Sequence, residues 1–424
     1  MTPDGTISIS SNLKKSDAFA RLGTDAVIVE KVMKKPVKLI RVTTVPLSFD
    51  KLLTGQLKYM TEHGFDVFMV SSGASNTANI SQRERSEFVQ VEMTRTISPF
   101  KDLVSLYKLT GVLKRIRPAI VHTHTPKAGL LGMLAAKFAG VPIRLHTVAG
   151  LPLMETTGVK RQILELVEKL TYTCAVKVYP NSQNLNQFIK RKGFCPPAKL
   201  KVLGNGSSNG IDTRYFNLNS DLEATANELK SEYNINPSDF VFIFIGRVVK
   251  DKGIQELVQA FNMLSKAFTN IKLLIVGPYE SKLDPVSEET TESIDNNTNI
   301  IHVGYQADVR PYLAISSALA FPSYREGFPN VPMQAGCFNL PCIVTDINGC
   351  NEIIENEENG LIIPPKDAVA LHDAMRQLMV DNVLYTKLKG NARKMIVERY
   401  EQNHFWSLLL DEYKEQLNKH GLIL

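Results

Sequence analysis

The sequence has few cysteines and no long apolar run, and both facts exclude whole classes of protein. Its five cysteines are an odd number with no C-x-x-C spacing, so neither a disulfide framework nor a zinc knuckle is indicated. No stretch approaches the roughly 18 uninterrupted apolar residues of a membrane span. The segment before Val37 contains no apolar run of the signal-peptide type. We therefore expect a chain that stays in a reducing cytoplasm.

A dinucleotide fingerprint is also missing. The segment from Gly204 to Gly210 has the form G-x-G-x-x-x-G, which misses the G-x-G-x-x-G spacing by one position. This segment fits better as a hinge between domains, and an NAD-dependent oxidoreductase is the least favoured class of enzyme.

Positive charge is concentrated in one half of the chain. Residues 1–220 hold 31 Lys and Arg against 15 Asp and Glu, whereas residues 221–424 hold 18 against 28, so the halves carry +16 and −10. Such a split indicates that the basic half meets an anionic surface, either phospholipid headgroups or a phosphate-bearing substrate. Nucleic acid is the weaker alternative, because the basic residues are scattered with little aromatic interleaving and match no reader motif. The scattered residues are Lys108, Lys114, Arg115, Arg117, Lys160, Arg161, Lys190, Arg191 and Lys192.

The pattern of apolar runs predicts an α/β protein with two doubly wound, Rossmann-like domains that face each other across a cleft, followed by C-terminal helices. A chain of 424 residues is too long for one ordinary core. Short apolar runs such as Val67–Val70 and Val241–Ile245 lack alternating polarity, as strands buried on both faces of a parallel sheet do. The residues after the second of these runs recur at helical spacing. These residues are Ile254, Leu257, Val258, Phe261 and Leu264.

The same rhythm gives the domain boundaries. We assign residues 1–36 to an N-terminal extension, 37–215 to a first Rossmann-like domain, 216–238 to an interdomain linker and 239–399 to a second Rossmann-like domain. Residues 400–424 form a C-terminal helix that would cross back to the first domain. Ligands of open α/β sheets bind at the carboxyl ends of the strands, so we expect the chemistry to lie between the domains.

Two loop segments of the second half carry candidate catalytic groups. The first, Gly246 to Gly253, follows a buried strand and opens a helix, so that Arg247 and Lys252 are placed to bind a diphosphate. The second runs from Pro322 to Asn330 and contains Glu326 at a tight turn. The simpler alternatives are a solvated basic loop and an acidic residue that stabilises a helix start.

Together these segments resemble a known family. G-R-x-x-x-x-K-G between a strand and a helix, S-Y-R-E-G-F-P-N, and T-D-I-N-G-C-N-E from Thr345 to Glu352 are similar to the GT4-type retaining glycosyltransferases, which have the GT-B fold. The likeness extends from about residue 38 to residue 417. Within the family, the segments from His122 to Gly129 and from Arg144 to Gly150 resemble bacterial enzymes of capsule, O-antigen and glycan assembly.

The resemblance implies roles for particular residues. Arg247 and Lys252 would hold the diphosphate of the donor and stabilise it as it leaves, Glu326 would contact the donor sugar, and His146 would lie beside the transferred sugar. The family has a second Glu where this chain has Gln334, a position implied to bind the ribose. The segment after Gly304 would cradle the nucleobase, with an ordinary strand-end turn as the alternative. The donor-binding set is Gly246, Tyr305, Val309, Gly327, Phe328, Pro329, Asn330 and Gln334.

The acceptor is expected on the first domain. Loops at 44–50 and 149–159 would border the cleft and contribute Pro46, Ser48 and Gly150. His122 and His124 are interpreted as pointing to opposite faces of their strand, with His124 in the cleft and His122 in the core or supporting the site.

The resulting expectation is a retaining, metal-independent enzyme without a cofactor, since the sequence contains no D-x-D carboxylate pair. It would move a hexose or N-acetylhexosamine from a nucleotide diphosphate sugar, UDP in the first instance, to a polyprenyl-diphosphate-linked saccharide. It would act at the inner face of the cytoplasmic membrane as a peripheral protein that contacts an anionic surface. The alternatives are a nucleotide-sugar epimerase of the same architecture and a non-catalytic sugar-nucleotide-binding subunit.

Overall fold

The computed structural model describes residues 36–73, 76–94, 98–151, 153, 156–280 and 284–424. All of the predicted N-terminal extension except Pro36 lies outside the described residues. None of the helices in these ranges is long and apolar enough to cross a bilayer.

Each half of the chain forms one six-stranded parallel sheet. The strands of the first half are β1 Val37–Val42, β2 Phe65–Ser71, β3 Glu87–Gln90, β4 Ile120–His124, β5 Ile143–Val148 and β6 Lys177–Pro180. The strands of the second half are β7 Phe240–Ile245, β8 Ile271–Val276, β9 Ile300–Gly304, β10 Ala318–Phe321, β11 Cys342–Thr345 and β12 Gly360–Ile363.

Helices connect the strands and cover both faces of each sheet. In the first half they are α1 Leu47–Leu52, α2 Gln56–Glu62, α3 Thr77–Glu84, α4 Pro99–Ile116, α5 Pro126–Phe138, α6 Gly158–Cys174 and α7 Gln183–Arg191. In the second half they are α8 Ser220–Glu232, α9 Ile254–Leu264, α10 Glu288–Asn296, α11 Arg310–Ala314, α12 Asn330–Cys337, α13 Cys350–Ile353, α14 Ala368–Val380, α15 Asn382–Tyr400 and α16 Gln402–Lys419.

The two sheets have the same topology. The first has the order β3-β2-β1-β4-β5-β6, and the second has the order β12-β11-β10-β7-β8-β9. Counted from the first strand of each half, both orders are 3-2-1-4-5-6, the Rossmann arrangement. The expected fold of two doubly wound domains with C-terminal helices is therefore confirmed.

Burial explains why the apolar runs form strands. Five of the six residues of β7 are buried, because helices cover both sides of a parallel sheet. The apolar face predicted for α9 is confirmed, since its five residues are at most 3% exposed. These residues belong to one core around the second sheet.

The first sheet has a separate core on each face, and α16 supplies part of one of them. Phe405, Leu409 and Tyr413 of this last helix pack in the same cluster as Leu39 and Leu57 of the first domain. The C-terminal helix thus covers a face of the first sheet.

The chain crosses from one domain to the other twice, and the two crossing segments are hydrogen-bonded to each other. The amide of Ile211 donates to the carbonyl of Tyr400 at 2.8 Å, and the amide of Gln402 donates back to the carbonyl of Ile211 at 3.0 Å. The segment that the sequence assigns to a linker is not an open connection, because it contains α8. Leu222 and Ala226 of that helix are buried, and the helix packs against α11 of the second domain.

Candidate functional site

The strand order of the second sheet reverses between β7 and β10, and we call the carboxyl edge of the sheet at this point its crevice. Ligands of open α/β sheets bind at such a switch point. The loops that leave these two strands are the two candidate segments of the sequence, which begin at Gly246 and at Pro322. The topology thus brings Lys252 and Glu326, which are 74 positions apart in the sequence, to one edge of the sheet.

Hydrogen bonds and a close backbone approach hold the two loops together. The amide of Tyr324 donates to the carbonyl of Asp251 at 2.9 Å, and the guanidinium of Arg325 donates to the Asp251 carboxylate at 2.7 Å. Gly253 has a φ of +71°, and a Cβ there would lie 2.1 Å from the carbonyl oxygen of Pro322. Only glycine combines this backbone conformation with so close an approach, so Gly253 allows the loops to meet.

The meeting of the loops forms an ion pair between Lys252 and Glu326. Lys252 Nζ lies 2.5 Å from Glu326 Oε1, and each side chain is 15% exposed. The buried hydroxyl of Ser323 donates to the same carboxylate oxygen at 2.9 Å. Because the pair is largely shielded from water, its electrostatic interaction is stronger than that of a surface pair. The structure therefore brings together two of the three charged residues predicted for the site.

Arg247, the third, has a different partner. Its Nη1 donates to Glu280 Oε2 at 2.7 Å, and the two side chains are 41% and 35% exposed. Glu280 lies beyond the end of β8, in the neighbouring loop. The sequence gives no local signal for this pair, and it leaves the arginine within reach of solvent.

The backbone at Gly246 is fixed by the neighbouring strand. Its amide donates to the carbonyl of Val276 at 2.9 Å, and a Cβ added to Gly277 would lie 1.8 Å from the Gly246 carbonyl oxygen. The two glycines let the chains approach closely at the mouth of the crevice.

The segment after Glu326 contacts the first domain. A Cβ added to Gly327 would lie 2.1 Å from the carbonyl oxygen of Ala149 and 3.6 Å from Cα of Gly150. Gly150 and Gly327, predicted for opposite sides of the cleft, are thus brought into contact. The ring of Phe328 lies 5.5 Å from that of Tyr400, at the point where the chain returns to the first domain.

The other donor-side candidates occupy helix starts and a loop. Pro329 is the N-cap of α12, which begins at Asn330 and holds a partly buried Gln334. Val309 is the N-cap of α11. Tyr305, in the loop between β9 and α11, is 66% exposed. The surface above the crevice is therefore open at this end.

A second set of contacts joins the domains through the T-D-I-N-G-C-N-E segment. The carboxylate of Glu352 accepts hydrogen bonds from the amides of Gln183 at 2.6 Å and Asn184 at 2.9 Å, at the first turn of α7. Asn348 accepts a hydrogen bond from the Ser182 hydroxyl at 2.7 Å and donates to the Gly327 carbonyl at 2.5 Å. The sequence identifies this segment as a motif but indicates no role for Glu352 or Asn348. The structure shows that both residues link the two domains.

The interpretation of His122 and His124 was wrong. Residues two positions apart on a strand share a face, and the two rings stack with centroids 4.7 Å apart. His124 contacts the guanidinium of Arg41, while His122 contacts the hydroxyl of Tyr413 at 2.7 Å. Both histidines are buried, and burial, together with the charge of Arg41, holds the pKa of each well below its usual value.

His146 lies on the other face of the first sheet. Its Nδ1 is 2.8 Å from the hydroxyl of Thr123, and a Cβ added to Gly129 would lie 2.4 Å from its ring. The side chain is 2% exposed, and burial lowers its pKa to about 4. Its described contacts lie inside the first domain, and the ring is neutral at pH 7.

The acceptor loop predicted at 44–50 contains the start of α1. Pro46 is the N-cap of this helix, and Ser48 lies buried in its first turn. At the carboxyl edge of the same sheet, the hydroxyls of Thr44 and Thr125 lie 2.8 Å apart. The predicted loop at 149–159 is described only in part. Among the described residues, no group of three or more His, Cys, Asp or Glu is placed to hold a metal ion.

Two Rossmann-like domains in contact at the carboxyl edges of their sheets have the arrangement of the GT-B fold. Residues 225–395 match the family model "Glycosyl transferases group 1", and residues 53–206 match the "Glycosyl transferase 4-like domain". The capsular polysaccharide biosynthesis glycosyltransferase CapM of Staphylococcus aureus is 32% identical over 90% of this chain and 98% of its own. This chain therefore belongs to the group 1 glycosyltransferases and is an enzyme of that class.

Two further comparisons agree with this assignment. UDP-Gal:alpha-D-GlcNAc-diphosphoundecaprenol alpha-1,3-galactosyltransferase of Escherichia coli is 26% identical over 86% of this chain and 93% of its own. Among solved structures, Anabaena HepE in complex with UDP superimposes with a TM-score of 0.74 at 15% identity, covering 90% of this chain and 100% of that protein. The second similarity concerns the fold alone.

Proposed function

We propose that this glycosyltransferase moves a hexose or N-acetylhexosamine from a UDP-sugar to a polyprenyl-diphosphate-linked saccharide, with retention of anomeric configuration and without a metal ion. The observation that carries the proposal is the Lys252–Glu326 pair, which lies shielded at the switch point of the second sheet. The names of two relatives support the acceptor class. One is the Escherichia coli enzyme, and the other is the N,N'-diacetylbacillosaminyl-diphospho-undecaprenol alpha-1,3-N-acetylgalactosaminyltransferase of Campylobacter jejuni, which is 25% identical over 82% of this chain and 90% of its own. Both names give an acceptor saccharide linked to undecaprenol through a diphosphate. The first of these names also gives a UDP-linked donor.

The chemistry requires a cation at the leaving group. When the bond between the anomeric carbon and the phosphate oxygen breaks, its electron pair passes to the diphosphate, which gains negative charge. Lys252 and Arg247 flank the loop before α9, so their charges and the amides at the start of that helix can offset this charge. These protein cations take the part that a metal ion plays in other enzymes.

Glu326 is placed to orient the donor sugar. The described contacts of its carboxylate, with Lys252 and Ser323, both engage Oε1, so Oε2 is the oxygen that would accept a hydrogen bond from a sugar hydroxyl. The same carboxylate would stabilise positive charge at the anomeric carbon as the leaving group departs. Attack of the acceptor hydroxyl on the face that the diphosphate leaves would retain the configuration.

The acceptor would enter from the first domain, whose half of the chain carries the +16 charge. A diphosphate-linked saccharide is anionic, and so is the surface of the membrane that holds its lipid. Both would be attracted to this half. We propose on this basis that the enzyme works as a peripheral protein at the inner face of the cytoplasmic membrane.

The test is a transfer assay with UDP-linked hexoses and N-acetylhexosamines and a synthetic polyprenyl-diphosphate disaccharide. We expect acceptor-dependent product that persists in excess EDTA, and NMR of the new linkage gives its configuration. Conversion of the donor to an isomer in the absence of acceptor would identify an epimerase instead. Nucleotide binding without transfer to any acceptor would identify a binding subunit. Loss of activity in EDTA, restored by a divalent cation, would contradict the metal-independent mechanism.

A further inference from the structure

Helix α4 carries an apolar stripe that faces solvent. Phe100 is 87% exposed and Tyr107 is 82% exposed, with Leu103 and Val104 between them at 63% and 54%. Their spacing of i, i+3, i+4 and i+7 places them on one side of the helix. The opposite side supplies Leu109 and other residues to the core, so α4 is apolar on two faces.

Helix α6 repeats the feature. None of its first ten residues is buried, although five of them are Val, Ile or Leu. Val159, Ile163, Leu166 and Leu170 recur at i, i+4, i+7 and i+11 and are 71%, 46%, 67% and 41% exposed. Contiguous apolar surface of this kind marks an interaction site in a soluble fold. We call the exposed residues of α4 and α6 the apolar stripes.

The stripes belong to one layer of the first domain, beside the cleft. Helices α4 and α6 both pack against α5, which lies between them on one face of the first sheet. Each begins where the chain leaves the carboxyl edge of that sheet, after β3 and β5 respectively. The α4 stripe occupies the N-terminal half of its helix, and the α6 stripe runs from the second residue of its helix to Leu170. Both stripes therefore begin near the carboxyl edge of the first sheet.

Basic residues surround the stripes. The ranges 99–117, 126–138 and 158–174, which contain the three helices, hold ten Lys and Arg and three acidic residues. Asp102 pairs with Lys127 at 2.5 Å and Glu165 with Arg161 at 3.2 Å. Glu168 is buried, and burial raises its pKa to about 7. The eight basic residues classed as exposed are Lys101, Lys108, Lys114, Arg115, Arg117, Lys137, Lys160 and Lys169.

A groove of about 300 Å³ opens beside the α4 stripe. Met93, Phe100 and Val104 give it an apolar lining, and Lys101, Lys108 and Glu92 also line it. The Glu92 carboxylate accepts hydrogen bonds from the amide of Gly73 at 3.3 Å and from the Gln90 side chain at 2.5 Å. An apolar floor with ammonium groups beside it complements a lipid, whose acyl or isoprenoid chain is apolar and whose phosphate is anionic.

We propose that the apolar stripes enter the headgroup region of an anionic bilayer while the exposed Lys and Arg side chains contact lipid phosphates. An interfacial helix has this composition, with apolar and basic residues side by side. The benefit of such binding rests on the proposed function, because membrane binding by the stripes would hold the cleft close to a lipid-linked acceptor. A second copy of this chain is the competing occupant, but the surplus of positive charge on both copies would oppose it.

Vesicle binding tests the surface directly. The full chain is sedimented with vesicles of phosphatidylglycerol and phosphatidylcholine, and with phosphatidylcholine alone. We expect binding to the anionic vesicles, and at least tenfold weaker binding by the variant Phe100→Ser/Tyr107→Ser/Ile163→Ser/Leu166→Ser. The matched control is Val369→Ser/Val383→Ser, at sites 57% and 84% exposed in the second domain, which should bind as the wild type does. Equal binding by both variants would overturn the proposal.

Immersion of the stripes can be measured independently of affinity. The native cysteines are all buried, so a polarity-sensitive dye would react with a cysteine introduced by Leu166→Cys or, as a control, by Val383→Cys. We expect a blue shift with anionic vesicles for the first label and none for the second. Dimerisation that the quadruple variant abolishes, with no blue shift at the first label, would show that a second copy covers the stripes.

Activity separates this proposal from the proposed function. The quadruple variant should transfer sugar normally to a short-chain, water-soluble diphosphate saccharide, but at least tenfold more slowly to a full-length acceptor in vesicles. Wild-type protein that binds vesicles yet transfers to neither acceptor would overturn the function and leave the surface intact. Transfer to the vesicle acceptor at equal rates by wild type and variant would overturn the membrane-surface proposal and leave the proposed function intact.

Discussion

The two domains have the same strand order, but the crevice at the switch point is open in the second domain and filled by buried side chains in the first. In the second domain, the loops after β7 and β10 hold Lys252 and Glu326 at 15% exposure, where a ligand can reach them. In the first domain, the corresponding strands are β1 and β4, and Arg41 near the end of β1 and His124 at the end of β4 are at most 3% exposed. Topology gives both sheets a place for a ligand, and the residues beyond the strands decide which place stays open.

The first crevice is closed by the last helix. Arg41 is a fully buried cation whose Nη1 donates to the hydroxyl of Tyr413 in α16 at 2.9 Å, and burial lowers its pKa. A buried charge with neutral partners is costly, so this cluster depends on α16 remaining in place. We therefore interpret the difference between the domains as one between a proposed catalytic site and a sealed polar core.

The largest effect is expected for Lys252→Ala. If the second crevice stabilises the leaving diphosphate, loss of this ammonium should lower kcat by about 100-fold to 1,000-fold, as does loss of a donor in an oxyanion hole. The measurement is turnover at saturating donor. Lys250→Ala is the matched control, because Lys250 is an exposed residue of the same turn and its loss should change kcat less than threefold. Near-normal turnover by Lys252→Ala with an intact fold would remove the leaving-group role.

The buried histidines of the first domain should make stability depend on pH. His146 has its pKa lowered from 6.5 to about 4 by burial, so between these values the unfolded chain holds a proton that the folded chain lacks. The free energy of unfolding should fall as pH falls, by about 1.4 kcal/mol per pH unit and about 3 kcal/mol in all from this residue. Burial also lowers the pKa of His122 and His124, which adds in the same direction. Glu168 acts oppositely, since its pKa is raised to about 7 and its contribution is lost as pH rises through that value.

Urea unfolding monitored by the single tryptophan, Trp406, at pH 7 and pH 5.5 measures this dependence. His146→Gln should reduce the difference in the free energy of unfolding between these two pH values by about 1.2 kcal/mol, because the imidazole of the unfolded chain takes up most of its proton between them. Equal slopes for this variant and the wild type would show that the imidazole is not buried as neutral.

A smaller effect is expected where the domains meet. Glu352→Gln removes the charge from the two hydrogen bonds to the first turn of α7, which should weaken the closed arrangement by about 1.4 kcal/mol and kcat/KM by about tenfold. Steady-state kinetics with varied donor measures this loss. Glu358→Gln is the control, because Glu358 pairs with Lys387 within the second domain. A similar loss in both variants would mean that the interdomain contact has no special part in turnover.

The parts of the molecule that are easy to predict from sequence depend on local patterns. The strands β7 and β10, the apolar face of α9, and the loops bearing Lys252 and Glu326 all follow from short apolar runs and nearby glycines. The contacts of Arg247 with Glu280 and of Arg41 with Tyr413 do not, because 33 and 372 residues separate the partners. No periodicity records such pairs.

The sequence also gives little information about which face of a sheet each side chain joins. A strand buried on both sides gives no polarity signal to show which face a side chain joins, so the sequence did not place His146 against α5. The assignment of His122 and His124 to opposite faces failed for a simpler reason, since the two-residue period of a strand requires one face. Glu352 and Asn348 belong to the T-D-I-N-G-C-N-E motif, which is recognisable in the sequence. Their partners lie in the other domain, however, and the motif does not predict them.

The smallest effect concerns Gln334, where the family has a second Glu. A carboxylate accepts a stronger, charge-assisted hydrogen bond from a ribose hydroxyl than an amide does, so Gln334→Glu should tighten UDP binding by about 1 kcal/mol, or about fivefold. Titration calorimetry gives the affinity, and Gln377→Glu on α14 adds the same charge to another helix of this domain as a control. A gain in affinity confined to Gln334→Glu would place the ribose beside α12 and bring a second carboxylate to the open crevice. An equal or weaker affinity would mean that other groups of this chain bind the nucleotide, and that the site around Gln334 accommodates an amide better than a carboxylate.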